Sequence, residues 1–208
     1  MKEHKMKKSI VFIILLLAIS LFAQQEQTGL LKIKNTNVGG YIGLSGKAAS
    51  IDDRTTGLGE LKIAAVLNSK WAIGLTGSGL AHDQELSELV DDGTYHLYAS
   101  YGGMFVERYF ALCKECKFSI GLMTGAGNVY YQYDQDYRKE KVWTEEIIDM
   151  TTFGVQELWI EYQHHLVNNF WLGVMASYRH TSPLKLIATD DDLLKGANFG
   201  ITLKYGVF

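Results

Sequence analysis

The chain has 208 residues, of which 47% are apolar, 21% charged and 12% aromatic, with one proline against 21 glycines: one domain or one set of membrane spans, not a disordered or linker-rich chain. Only one apolar run approaches the roughly 20 residues of a helical span, at the N-terminus, which excludes a polytopic helical membrane protein. The formal charge of -3 is uneven, because residues 1–23 hold four lysines and one glutamate while the rest holds 16 basic against 22 acidic residues, a poor partner for nucleic acid.

Lys2, Lys5, Lys7 and Lys8 precede the apolar stretch Ile10 to Phe22, which ends in Ala23 before Gln24 and Gln25. This is the layout of a secretory signal peptide over residues 1–23, with cleavage after Ala23. Leu21 is larger than the small residue preferred at its place, so an uncleaved anchor is the alternative. No cysteine lies near Ala23, and the exported chain is expected without a lipid. Residues 24–36 then form a short periplasmic segment and 37–208 the folded domain.

From Asn37 onward helical periodicity is scarce and period-two alternation is common, with Tyr, Phe, Val, Ile and Thr inside the runs. Eight strands are predicted: Gly39–Ile51, Thr56–Leu67, Trp71–Ala81, Tyr95–Leu112, Lys117–Tyr131, Thr152–His165, Phe170–Thr181 and Ala197–Phe208. Each is near or above the length of about ten residues that spans a membrane as a tilted strand. The connections at Asn68–Lys70, Cys113–Cys116 and Leu166–Asn169 are tight, and those after the third, fifth and seventh strands are long. Tight turns alternating with long loops are what a transmembrane barrel needs, turns to the periplasm and loops outside.

Parity within the strands supports two unlike faces. Leu61, Ile63, Ala65 and Leu67 oppose Glu60, Lys62, Ala64 and Val66, and Leu172, Val174, Ala176 and Tyr178 oppose Gly173, Met175, Ser177 and Arg179. A soluble lipocalin-like ligand-binding barrel also alternates, but its water face carries many lysines, glutamates and threonines. Here that face is mostly Gly, Ala and Ser with isolated charges, which suits a crowded lumen. Aromatics near strand ends, Tyr41, Trp71, Tyr95, Tyr130, Tyr131, Phe170, Trp171 and Tyr205, are placed as an interfacial girdle.

The opening strand Val38-Gly39-Gly40-Tyr41-Ile42-Gly43 with Lys47, the segment Ala176-Ser177-Tyr178-Arg179 and the ending Phe199 to Phe208 resemble the small eight-stranded outer-membrane β-barrels of Gram-negative bacteria, similar to the OmpX and OmpA membrane domains. The resemblance covers most of residues 37–208 and implies an all-β, eight-stranded antiparallel up-and-down transmembrane barrel. It also implies that Phe208 is an assembly signal read by the barrel assembly machinery. Strict alternation back from Phe208 would put Gly206 and Lys204 toward lipid, whereas the apolar set is Phe199, Ile201, Leu203 and Tyr205, so a bulge is expected in the final turn.

On the glycine-rich parity the inward charges are Lys47, Glu60, Lys62, Glu107, Glu157, Glu161, Arg179 and Lys204, four of each sign. Buried ions at this density are expected to pair with one another, with Glu157 the partner of Arg179 across two strands. The interior of eight strands is just wide enough for side chains to fill, so this network reads as a plug rather than a gated ion path.

Cys113-Lys114-Glu115-Cys116 has the spacing of a redox pair, but a hairpin offers no helix N-terminus to lower a thiol pKa, and a turn disulfide fits the oxidising periplasm. His180-Thr181-Ser182 resembles the histidine and serine of the outer-membrane lipid A deacylases, with Asp190, Asp191 or Asp192 as orienting carboxylate, but Pro183 stands where that motif has asparagine. His164 and His165 are adjacent in a strand, point to opposite faces and cannot share a metal. No metal site, cofactor or catalytic residue is expected.

The long loops are acidic. Asp83, Glu85, Glu88, Asp91 and Asp92 lie in the second; Asp134, Asp136, Glu140, Glu145, Glu146 and Asp149 outnumber Arg138, Lys139 and Lys141 in the third; Asp190–Asp192 lie in the fourth. They serve either divalent-cation bridging to lipopolysaccharide, or an extracellular partner, or plain solvation. The expected function is a small outer-membrane barrel without catalysis, in envelope structure or surface interaction; the alternatives are a lipid A-modifying barrel enzyme and the soluble ligand-binding barrel.

Overall fold

The computed structural model describes residues 31–33, 36–51, 54–84, 94–134, 147–187 and 189–208. Its strands are β1 (Leu31–Ile33), β2 (Thr36–Ile51), β3 (Arg54–Leu67), β4 (Trp71–Gln84), β5 (Thr94–Ala111), β6 (Cys116–Asp134), β7 (Ile147–Val167), β8 (Phe170–Thr181) and β9 (Gly196–Val207). Each pairs antiparallel with the next, and β2 also pairs with β9, so β2 to β9 close into an eight-stranded ring. Closure leaves no ring strand with an unpaired edge, the condition under which a sheet can stand in lipid. The three-residue β1 pairs with Thr36–Val38 below the ring, a hairpin absent from the expected set because three residues carry no periodicity.

The turns obey local chemistry. Asn68 and Ser69 take positive φ values of 51° and 55°, and Lys70 N donates to Leu67 O at 3.0 Å, the primed geometry that matches strand twist. Asn68 also accepts from Asn37 N at 3.0 Å, tying the start of β2 to this turn. The β7–β8 turn uses Asn168 at φ 51°.

The two faces separate as the sequence parity requires. Inward residues of β8 are buried and outward ones exposed along nearly its whole length. Leu44, Ile63, Leu75, Met104, Leu158 and Val174 point outward at 46–63% exposure, while Lys47, Lys62, Glu107 and Arg179 are at most 4% exposed. A barrel with its apolar side chains outside and its ions inside is inverted relative to a soluble one, which removes the lipocalin-like alternative.

Two expectations are corrected. The register of β2 with β9 runs without a break from Ala49↔Asn198 to Gly40↔Val207, so the end of β9 carries no bulge. Register shifts occur instead at Tyr131/Gln132 and at His165/Val167. Of the expected girdle, Tyr41, Tyr131 and Trp171 are 4%, 0% and 9% exposed and face the lumen; Trp71 and Phe170 face outward at 46% and 38%.

Inward glycines let strands coil where the wall is tightest. A β-carbon on Gly125 would overlap the Gly102 carbonyl and Gly103 Cα, and one on Gly103 would overlap the Thr124 carbonyl and Gly125 Cα. Gly125→Ala therefore has only backbone to push against, and is expected to lower the urea unfolding free energy by about 1–3 kcal/mol. An unchanged midpoint would show that β5 and β6 can part at no cost.

Candidate functional site: the charged lumen

The lumen has four levels. At the loop end, Leu184, Leu186 and Leu194 from the segment between β8 and β9 tuck in at 0%, 8% and 1% exposure and join Ile51, Leu97 and Val129 in an apolar cluster. The segment is held down by Leu184 N to Asp191 O at 3.0 Å, Ile187 N to Asp149 Oδ2 at 2.9 Å, and a 2.7 Å bond between the Tyr131 and Thr189 hydroxyls. Leu184 and Leu186 alternate around Lys185, but over too short a stretch after Pro183 to read as a strand, and the polar run Thr189 to Asp192 separates them from Leu194, so the cluster was not legible in the sequence.

Below this plug lies the first ion cluster. Lys47 Nζ donates to Glu60 Oε2 at 2.6 Å and to Glu157 Oε1 at 2.7 Å. Glu157 also accepts from Ser177 at 2.6 Å and from Tyr101 at 3.0 Å. Lys62 Nζ stands 3.2 Å from Glu60 Oε1 and 3.8 Å above the Trp159 ring, a contact that attracts a desolvated ammonium.

Arg179 is directly across from Glu157 in the β7–β8 register, yet the two do not pair. Its Nε donates to Leu194 O at 2.6 Å and its NH1 group to the Tyr101 hydroxyl at 3.4 Å. Tyr101 in turn donates to Glu157, so the expected pair is linked only through a phenol. Glu157 is taken by Lys47 from across the lumen, because inward side chains of a narrow barrel meet more than their sheet neighbours.

The second cluster, nearer the turns, centres on Glu107. It accepts from Tyr41 at 2.7 Å, Tyr109 at 2.8 Å, Ser119 at 2.6 Å and Lys204 at 3.2 Å. Lys204 Nζ also donates to Glu161 Oε2 at 2.8 Å, and Glu161 Oε1 is buried with no hydrogen-bond partner among the described residues. Gln163 extends the cluster, donating to Ser119 Oγ at 3.3 Å.

The turn end closes on aromatics. Phe208 follows the inward parity, stacking on Tyr41 with ring centroids 5.3 Å apart and meeting Tyr109 and Trp171 edge-on at the same separation. Lys117 Nζ sits 4.1 Å from the Trp171 ring and 4.4 Å from that of Phe208. Phe208 and the outward set Phe199, Ile201 and Leu203 therefore lie on opposite faces.

Cys113 and Cys116 are joined as a disulfide across the β5–β6 turn, with Cα atoms 4.9 Å apart. His164 Nδ1 lies 3.7 Å from Cys116 Sγ, whereas the His165 ring packs on Trp171 at 4.8 Å, so the two histidines diverge. His180 is exposed on the outer wall in register with Gln156. Ser182 Oγ accepts from Gly154 N at 2.9 Å; Asp190 O and Asp192 O accept from Leu193 N and Lys195 N in their own turn, Asp191 O accepts from Leu184 N, and the Asp192 carboxylate pairs with Lys195 Nζ. The geometry assembles no triad from these residues. Residues 1–30, Glu85, Glu88, Asp91 and Asp92 of the second loop, and Asp136 through Glu146 of the third lie outside the described residues.

No protein-family model matches the chain, and no curated protein does. Solved structures do. Neisserial surface protein A overlays with a TM-score of 0.52 at 9% identity, covering 82% of this chain and 96% of that one. The attachment invasion locus protein Ail of Yersinia pestis overlays at 0.46 with 15% identity, over 81% of this chain and 97% of that one. The N-terminal barrel domain of Pseudomonas aeruginosa OprF overlays at 0.47 with 9% identity, over 81% and 96%. The likeness to the Neisserial protein is one of fold, and with the closed ring it establishes that this chain has the fold of the small eight-stranded outer-membrane β-barrels.

Proposed function

We propose that the protein is an integral outer-membrane barrel whose work is envelope structure or surface interaction, not transport and not catalysis. The observation that carries this is a lumen blocked at every level: leucines at the loop end, two paired ion clusters, and Phe208 with its aromatic neighbours at the turn end. An ion crossing it would have to displace ammonium and carboxylate groups already paired at 2.6–3.2 Å, or shed its water against leucine.

Export follows from the lysine-flanked apolar segment of residues 1–23, and residues 24–36 lead from it to the ring. Phe208 serves assembly through its terminal aromatic side chain, and in the folded protein the same ring closes the turn end. The acidic loops supply the surface available to lipopolysaccharide-bound cations or to an extracellular partner. A lipid A deacylase reading gains no support from Ser182, whose oxygen accepts from the Gly154 amide and, among the described residues, makes no hydrogen bond with His180.

Planar-bilayer recording tests the proposal. The reconstituted protein is expected to show at most small, infrequent openings. A stable, large conductance would overturn the blocked lumen, and with it the structural role.

A further inference from the structure

Among the described side chains of β2 to β9, Arg108 is the one lysine, arginine, aspartate or glutamate on the outward face. Its neighbours on that face, Val106 and Phe110, are 39% and 44% exposed, and the buried Glu107 and Tyr109 flank it on the inward parity. The guanidinium lies 4.7 Å from the Trp71 ring and 5.7 Å from that of Phe110. Those ring contacts are its interactions among the described residues, and they leave all five of its N–H groups without an acceptor.

A lone ion on the lipid face of a barrel is costly at mid-membrane and nearly free at the interface, provided that something there accepts its hydrogen bonds. Arg108 is at the interface. Its register partner Trp71 opens β4, and the next residue, Tyr109, donates its N–H to Lys70 O in the β3–β4 turn at 2.8 Å. The contact with Trp71 holds the guanidinium against the wall and leaves its fork of donors able to meet a planar or tetrahedral oxyanion. Lys70, exposed in the same turn, adds a second positive charge. The turns face the periplasm in the proposed orientation, and the anion present at that depth in quantity is the phosphate of a phospholipid headgroup, with its acyl chains lying along Ile73 and Val106.

We propose that Arg108, seated on Trp71 at the turn-end rim, is a binding site for the headgroup phosphate of a phospholipid in the periplasmic leaflet. The site rests on the outer-membrane reading above and adds to it a defined lipid contact. Arg108 faces away from the lumen, so replacing it leaves both ion clusters and the aromatic stopper untouched.

The folded full-length protein is inserted into vesicles, extracted in mild detergent and examined by native mass spectrometry with added phosphatidylglycerol or with diacylglycerol of the same chains. The expected result is one retained phosphatidylglycerol, little diacylglycerol, and an occupancy that falls roughly fivefold in Arg108→Leu, as befits one cationic contact at a membrane surface. Arg108→Lys should recover part of it. Should Arg108→Leu fail to fold, Arg108→Gln gives the same comparison without the charge. Equal phosphatidylglycerol retention by wild type and the uncharged variant, equal retention of diacylglycerol, or displacement of the lipid by millimolar inorganic phosphate each overturns the phospholipid site. Failure of the wild type to enter vesicles at all would instead overturn the membrane reading on which the site stands.

Discussion

Lys47→Met is expected to lower the unfolding free energy of the barrel by about 3–5 kcal/mol, the cost of removing one partner from a buried ion group. Lys47 is the shared cation of two carboxylates, Glu60 at 2.6 Å and Glu157 at 2.7 Å, and all three side chains are at most 2% exposed. After the substitution Glu60 keeps Lys62 at 3.2 Å, but Glu157 keeps only the neutral donors Ser177 and Tyr101. Removing Glu157 as well should therefore return part of the loss. In a double-mutant cycle followed by urea unfolding in vesicles, Lys47→Met and Glu157→Gln together are expected to cost clearly less than their sum. Simple additivity would mean that the short contacts carry no coupling. The cycle of Arg179→Met with Glu157→Gln provides the contrast, because those residues meet only through the Tyr101 hydroxyl and should couple weakly.

That contrast shows how far the sequence could be followed. The eight charged residues assigned inward by parity are all buried, because in a strand one residue in two faces each way; Lys117, of the same parity as Ser119, went unassigned and lies against the Trp171 and Phe208 rings. Partnership was not legible. Register neighbours can be inferred from adjacent strands, and Glu157↔Arg179 is indeed a register pair, but Lys47 reaches Glu157 from β2 to β7 across the lumen, a distance that depends on barrel diameter and side-chain length. The aromatics show the same boundary. Tyr41, Tyr131 and Trp171 sit near strand ends as a girdle would, yet they share parity with Gly43, Val129 and Gly173, and parity proved the stronger guide. The two alternating leucines Leu184 and Leu186 were too short a signal for the plug, which with Leu194 belongs to a connection whose path is set by the mouth it fills.

The second ion cluster yields a sharper expectation, because it holds two glutamates around one lysine and uses them differently. Glu107 accepts hydrogen bonds from Tyr41, Tyr109, Ser119 and Lys204 at 2.6–3.2 Å, whereas among the described residues Glu161 accepts from Lys204 alone and leaves Oε1 unpartnered. Either Glu→Gln change removes one negative charge and leaves Lys204 with one carboxylate, so a cluster governed by net charge would respond equally to both. Hydrogen bonding predicts otherwise. In Glu107→Gln the new amide would turn its NH2 toward hydroxyl groups that are already donating, orphaning at least two buried donors at roughly 1–3 kcal/mol each, so this change should cost about 3 kcal/mol or more. In Glu161→Gln the amide can keep its carbonyl oxygen on Lys204 and turn its NH2 toward the lumen, where Gln163 Oε1 is a buried acceptor without a partner among the described residues. Glu161→Gln is therefore expected to cost less than about 1 kcal/mol. Urea unfolding of the two variants side by side decides between the accounts, and equal losses would assign the cluster to charge balance rather than to the satisfaction of its donors.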